Sequence, residues 1–251
     1  MVIRGSILLM SLLVSMLAYA TELSVSPTKL KLFPKQKFTV LNITNSSDKP
    51  VNVQVSVQTW SQDETGQPIL QDTSDLIVFP KLLKVEGKTE RPIRVGYRGK
   101  WPQIEQAYRI FVEELPVTDP RKADTLGVSV TLRFSVPVFV RYREETAPKP
   151  KFQIENVEKR ESVLTIGVRN TGNSHFTVDN IVADLWDEKG AFLFSQSISG
   201  WYVLPHQRNV FEMSLEQPDC LAAHTAKISV TVQKQYQVGR FQLQGDGCSS
   251  Q

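Results

Sequence analysis

The chain has 251 residues, 41% of them hydrophobic, and a formal net charge of +3. That length holds one large or two ordinary domains. Basic and acidic residues are interspersed, which gives no argument for a nucleic-acid partner, and no apolar stretch after the N-terminus is long enough to cross a membrane.

The first twenty residues read as a secretory signal peptide. Met1 to Arg4 carries one positive charge, Ile7 to Leu17 is an apolar run broken only by serines, and Ala18-Tyr19-Ala20 is an A-x-A exit. Cleavage there would start the mature chain at Thr21, leaving about 230 residues. An uncleaved membrane anchor is the other reading, but the run is short and no basic stop-transfer cluster follows it. The two cysteines, Cys220 and Cys248, both lie near the C-terminus. In an oxidising compartment two such cysteines usually pair; two separate thiols are the alternative.

Strand signals dominate the remainder. Phe38 to Thr44 (FTVLNIT) runs into the turn cluster Asn45 to Pro50. Val51 to Trp60 alternates, with Val51, Val53, Val55 and Val57 on one face, until Gly66 and Pro68 interrupt. Pro92 to Tyr97, Tyr108 to Leu115 and Gly127 to Arg141 follow, and Trp101 to Gln106 fits a short helical turn. Tyr142 to Pro150 (YREETAPKP) is charged and proline-stiffened, as interdomain linkers are. Beyond it the strand pattern restarts at Phe152 to Val157, Ser162 to Arg169, Phe176 to Trp186, Ala191 to Ile198, Asn209 to Leu215, Lys227 to Gln233 and Gly239 to Gln244. The expected division is a signal peptide over 1–20, an N-terminal domain over 21–141, a linker over 142–150 and a C-terminal domain over 151–251. Each block matches the dimensions of a β-sandwich.

The segment Gly127 to Arg141 (GVSVTLRFSVPVFVR) is unusually long for a strand. Leu126, Val128, Val130, Leu132, Phe134, Val136, Val138 and Val140 share one parity, so one face is apolar throughout. Its periodicity suits a long core strand or two strands joined by a kink near Pro137. It equally suits an edge strand whose first half pairs with another chain by β-augmentation.

Several stretches resemble, in order and spacing, the periplasmic pilus (fimbrial) chaperones of the chaperone–usher pathway. They are Leu23 to Lys29 (LSVSPTK), Thr44-Asn45, Pro92 to Gly96 (PIRVG), Tyr108 to Pro116 (YRIFVEELP), Leu132 to Val140 (LRFSVPVFV) and Asn170 to Phe176 (NTGNSHF). The resemblance covers essentially the whole mature chain, and the YRIFVEELP and LRFSVPVFV stretches resemble the archaic (alternate) branch. It implies an all-β protein of two immunoglobulin-like β-sandwich domains in a boomerang arrangement. It also implies a periplasmic chaperone that completes pilus subunits by donor-strand complementation and delivers them to an outer-membrane usher. On that reading Leu126, Val128, Val130 and Leu132 are the donor side chains.

Other family members anchor the subunit's C-terminal carboxylate with two cleft cations. The first-strand cation aligns with Lys29, whereas the second aligns at or near Pro137 and is missing. Arg109 on the neighbouring strand is the preferred replacement, because arginine can grip a carboxylate bidentately. Lys159, just past the linker, is a further candidate.

No catalysis, cofactor, metal, nucleic acid or membrane insertion is expected. His175, His206 and His224 lack metal-ligand spacing. There is no G-x-S-x-G elbow, and Glu113, Glu114, Asp119 and Asp124 do not assemble into an acid–base pair from sequence. Trp186, Trp201 and Tyr202 read as second-domain core or rim. A secreted adhesive or surface structural β-sandwich is the alternative, although such fibre components carry an N-terminal donor extension and here the mature N-terminus runs straight into a strand.

Overall fold

The computed structural model describes residues 23–116, 131–142, 149–160 and 162–243. The predicted signal peptide, three of the predicted donor residues (Leu126, Val128 and Val130), linker residues 143–148 and Cys248 lie outside them.

The described chain is nearly all strand, in two sandwiches. In the first, one sheet has the order β1-β3-β8-β6, from β1 (Leu23–Ser26), β3 (Phe38–Asn45), β8 (Thr89–Tyr97) and β6 (Leu76–Phe79). Its partner sheet has the order β2-β10-β9-β4-β5, from β2 (Leu30–Leu32), β10 (Arg133–Val140), β9 (Gln106–Leu115), β4 (Val51–Gln62) and β5 (Pro68–Asp72). The short β7 (Leu82–Val85) pairs with the start of β4. In the second sandwich β11 (Phe152–Arg160), β12 (Val163–Asn170) and β17 (Arg208–Ser214) form one sheet. The other has the order β15-β14-β18-β19, from β15 (Phe192–Ile198), β14 (Asn180–Trp186), β18 (Thr225–Val232) and β19 (Gln235–Gln242). A two-stranded pair, β13 (Phe176–Thr177) with β16 (Tyr202–Val203), sits nearest the first sandwich's contacts, and α1 (Gln217–Ala222) is a short helix.

The alternation read from sequence is what packs each core. Along β14 and β18 every second residue is buried, as a half-buried strand requires. In the first sandwich Val53, Val55, Ile110, Val112, Val136, Val138 and Val140 meet Leu41, Ile43, Ile93 and Val95 of the opposite sheet. No helical turn forms at Trp101–Gln106. The chain there bends instead, which points the buried Glu105 carboxylate across to the second sandwich. The helix that does form starts at Gln217 with Pro218 next, where a missing N–H costs nothing.

The first strand switches sheets. Residues Leu23–Ser26 pair with β3, Pro27 then removes a ladder donor, and Leu30–Leu32 emerge parallel to β10. Because β2 reaches only Val138–Val140, the outer edge of β10 from Arg133 to Pro137 has no strand beside it among the described residues. Pro137 makes no kink and stays within β10.

Ile110 lies at the centre of the sheet, fully buried between β10 and β4. Truncation to alanine there is expected to destabilise the first sandwich by roughly 2–5 kcal/mol, whereas the same change at the exposed Ile69 of β5 should cost under about 0.5 kcal/mol. Urea unfolding of the two variants measures the difference.

Candidate functional site

Registers across β10, β9 and β4 place rows of side chains on the face turned away from the core. Phe139, Ala107 and Trp60 form the first row, and Pro137, Arg109 and Gln58 the second. Ser135, Phe111 and Ser56 make the third, then Arg133, Glu113 and Gln54. The first row is covered by the second sandwich: Trp60, Ala107 and Phe139 pack with Leu204 and Tyr202 as a separate interdomain core. Arg109 therefore stands one row beyond this plug, on the floor of the cleft.

The guanidinium of Arg109 lies over the Trp60 ring, 3.6 Å from its centroid, and 6.0 Å from that of Tyr202. Trp60 is its diagonal cross-strand neighbour, a geometry that brings long side chains together. Arg109 is 9% exposed and forms no ion pair among the described residues. Burial pulls its pKa below the ordinary arginine value, with Tyr202 opposing; an arginine stays charged regardless. Arg133, two rows along, differs: it is bonded to Glu113 at 2.6 Å and lies over Phe111. Of the two cleft cations, Arg109 is the one whose charge is unspent.

Beside this floor runs the bare edge. Glu114 N–H donates to the Leu132 carbonyl at 2.9 Å, which makes 132, 134 and 136 the residues bonded to β9. Arg133 and Ser135 consequently turn their N–H and C=O groups outward, and Pro137 sits where no inner bond is lost. Leu132 and Phe134 are half-buried against the first core. Leu132 and Phe134 thus continue the row that builds the domain's own core at Val136, Val138 and Val140.

The structure does not bring the other predicted anchors to Arg109. Lys159 is buried in the second sandwich, its ammonium donating to the Cys220 and Ala223 carbonyls at 2.7 and 2.9 Å. Lys29 is exposed near the interdomain contact, where its charge acts on His175 and Lys31. Cys220 is buried and carries no free thiol.

Sequence reasoning missed the clamp that sets the cleft. Glu105, 1% exposed at its side chain, pairs with Arg141 at 2.5 Å and with His175 Nδ1 at 2.5 Å, and accepts the His175 backbone N–H at 2.8 Å. The His175 ring stacks on Phe139, centroids 3.4 Å apart. Gln62 adds a second tie, donating to the Tyr202 carbonyl and accepting the Leu204 N–H. The signal was present in part: Trp60 and Phe139 are aromatic residues closing otherwise polar faces of their strands.

These features define a class: a two-domain immunoglobulin-like binding protein in which, among the described residues, a strand edge stands open beside an unneutralised cleft cation. Residues 22–144 match the family described as "Pili and flagellar-assembly chaperone, PapD N-terminal domain". That span is thus an N-terminal domain of the PapD pilus-assembly chaperone type. Among solved structures it is similar to the chaperone–tip adhesion subunit pre-assembly complex CsuC–CsuE from the archaic Csu pili of Acinetobacter baumannii, with 18% identity, TM-score 0.61, covering 89% of this chain and 99% of that one. It is also similar to the SafA pilin complex with the SafB chaperone of Salmonella enterica, with 13% identity, TM-score 0.56, covering 89% and 97%. The YadV chaperone is a third, with 16% identity, TM-score 0.55, covering 88% and 100%. At these identities the likeness concerns the fold. No curated protein matches the sequence.

The clamp makes the interface pH-sensitive. Burial holds the His175 pKa below its usual value, while the Glu105 hydrogen bond and charge pull the other way and Lys29 and Arg141 reinforce the lowering. The folded state then binds fewer protons than the unfolded chain. Its stability is full above about pH 6.5 and is lost as pH falls below that. Thermal melts from pH 8 to 5 should show a decline that is shallower in His175→Gln, which keeps a donor but cannot titrate. Equal slopes for the two proteins would remove His175 from the account.

Proposed function

We propose that the chain is a periplasmic chaperone that binds pilus subunits by lending them the outer edge of β10, with the segment preceding it, and passes them to an outer-membrane usher. The bare edge from Arg133 to Pro137, lying beside the uncompensated charge of Arg109, is the observation that carries this reading. A subunit missing a strand gains backbone partners from the outward groups of Arg133 and Ser135. Leu126, Val128, Val130 and Leu132 supply aliphatic side chains for its open core, each worth roughly 1.5–3 kcal/mol when fully buried. Arg109 anchors the subunit's C-terminal carboxylate. Lys29 adds long-range positive potential, and Lys159 serves the second domain's fold.

The reading implies export by cleavage after Ala20, and pairing of Cys220 with Cys248 in the oxidising compartment. It requires no cofactor and no bond-making chemistry. Release comes from exchanging one strand for another.

Co-expression with a candidate subunit from the same locus is the test, read as a soluble 1:1 complex. Ser135→Pro deletes one outward N–H while leaving every bond to β9 intact, since proline is tolerated at such edge positions. It should fold normally yet weaken the complex at least tenfold. Val130→Asp with Leu132→Asp should abolish it, and Arg109→Ala should weaken it. A subunit that stays soluble without the chain, or a complex that survives all three changes, would leave the adhesive-sandwich reading in front.

A further inference from the structure

The cleft around Arg109 is more than a charge on a surface. A cavity of about 360 Å³ opens there, walled by Trp60, Pro68, Leu70, Phe111 and Trp201, with Arg109 as the one charged residue lining it. The walls come from three places. Trp60 and Phe111 rise from the sheet floor, Pro68 and Leu70 come from β5, and Trp201 comes from the loop of the second sandwich.

Both outer walls are held in place. The β4–β5 turn docks on the second sandwich through the Val210 N–H, which donates to the Thr65 carbonyl. Gly66 closes this turn at φ +89° against Asn209, where any side chain would collide and the backbone favours glycine. Trp201 is fixed by its carbonyl, which accepts the Val178 N–H at 3.1 Å, and by Gly200, which is too close to Val178 to carry a Cβ. Its indole meets Tyr202 edge-on yet remains 56% exposed. A large, mostly exposed aromatic surface thus lines the cleft from a tied-down backbone.

One positive charge at the floor and apolar walls around it define the complementary group. We infer that the pocket reads the last residue of the bound subunit, taking a terminal carboxylate on Arg109 and an aromatic or large aliphatic side chain against Trp201, Leu70 and Phe111. This deepens the anchoring role given to Arg109 above and rests on it. A terminal residue with a small polar side chain would satisfy the charge and leave the walls wet. An internal aspartate would bring the charge with too little apolar surface.

The test uses the full mature chain, 15N-labelled, with the indole N–H signals of Trp60 and Trp201 as reporters. N-acetyl-phenylalanine, its C-terminal amide and N-acetyl-serine are titrated separately. The acid with the aromatic side chain should shift both indoles saturably, at least tenfold more tightly than N-acetyl-serine, and the amide should bind at least tenfold more weakly than the acid. Trp201→Ala should erase the preference for phenylalanine over serine while leaving N-acetyl-serine binding unchanged. Equal binding of the two acids would overturn the side-chain pocket and leave the anchor standing. Equal binding of acid and amide would show that Arg109 does not read a carboxylate, and both readings would fall. No shift with any probe would also overturn the pocket, and the Arg109→Ala complex would then decide the anchor separately.

Discussion

The described structure turns on how one strand is left half-covered. The chain's first strand cannot serve both sheets along its whole length, so it spends Leu23–Ser26 on β3 and only Leu30–Leu32 on β10. An edge of this kind, with alternating apolar residues behind it, is normally a hazard that proteins blunt with charge, proline or short strands. Here Arg133 and Pro137 occupy that edge, but neither closes it. Arg133 is tied back to Glu113 on the cleft face, and Pro137 loses no bond to β9, while its outward carbonyl falls where the parallel pairing with β2 begins. Nothing in the local chemistry forbids an added strand, which is the condition for lending one.

A lent edge is useful only if the second sandwich stays clear of it while remaining close enough to form a cleft. The buried carboxylate of Glu105 fixes that spacing. It meets Arg141 from the end of β10 and His175 from the second sandwich, so one side chain ties the end of the open strand to the domain that faces it. A buried charge of this kind is costly unless it is paired and hydrogen-bonded, and Glu105 has two charged or chargeable neighbours and a backbone N–H. Such an arrangement contributes geometry more than stability. Misplacing any member leaves an uncompensated charge in a dry interface, which penalises other interdomain angles. The stack of His175 on Phe139 and the Trp60–Phe139–Tyr202 aromatic group then fill the remaining volume.

Much of this architecture was legible from alternation alone. The period of two in Val51 to Trp60 and in Leu126 to Val140 reports burial directly, and in the described part of each it marks the residues that pack the first core. Motif order carried the family, because short stretches such as YRIFVEELP constrain position along the chain. Three-dimensional neighbours were not legible. Lys159 and Arg109 are both basic residues near the predicted cleft in sequence. Whether an ammonium ends on helix carbonyls or a guanidinium ends in the cleft depends on which strand end each occupies. Likewise Trp201 read as core or rim, since an aromatic near a turn carries no sign of what lies across the cleft. The helical turn expected at Trp101–Gln106 failed because Glu105 is drawn out of local structure by a partner seventy residues away.

Strand lending and an end anchor solve different parts of the recognition problem. Backbone pairing contributes only about 1 kcal/mol net per hydrogen bond and is nearly blind to sequence. It therefore tolerates a slip along the strand. Yet a slip of one residue turns every side chain to the opposite face and takes the apolar set out of the subunit's core. A fixed cation at one end of the edge removes this freedom, because the chain terminus occurs once and its carboxylate has one place to go. On the proposed reading, Arg109 contributes to register more than to total affinity. Its stacking on Trp60 suits that role, since a guanidinium held flat against a buried ring has little freedom to follow a misplaced terminus. A subunit held in register by one charged contact and many weak backbone bonds can later be displaced one bond at a time by a better-fitting strand.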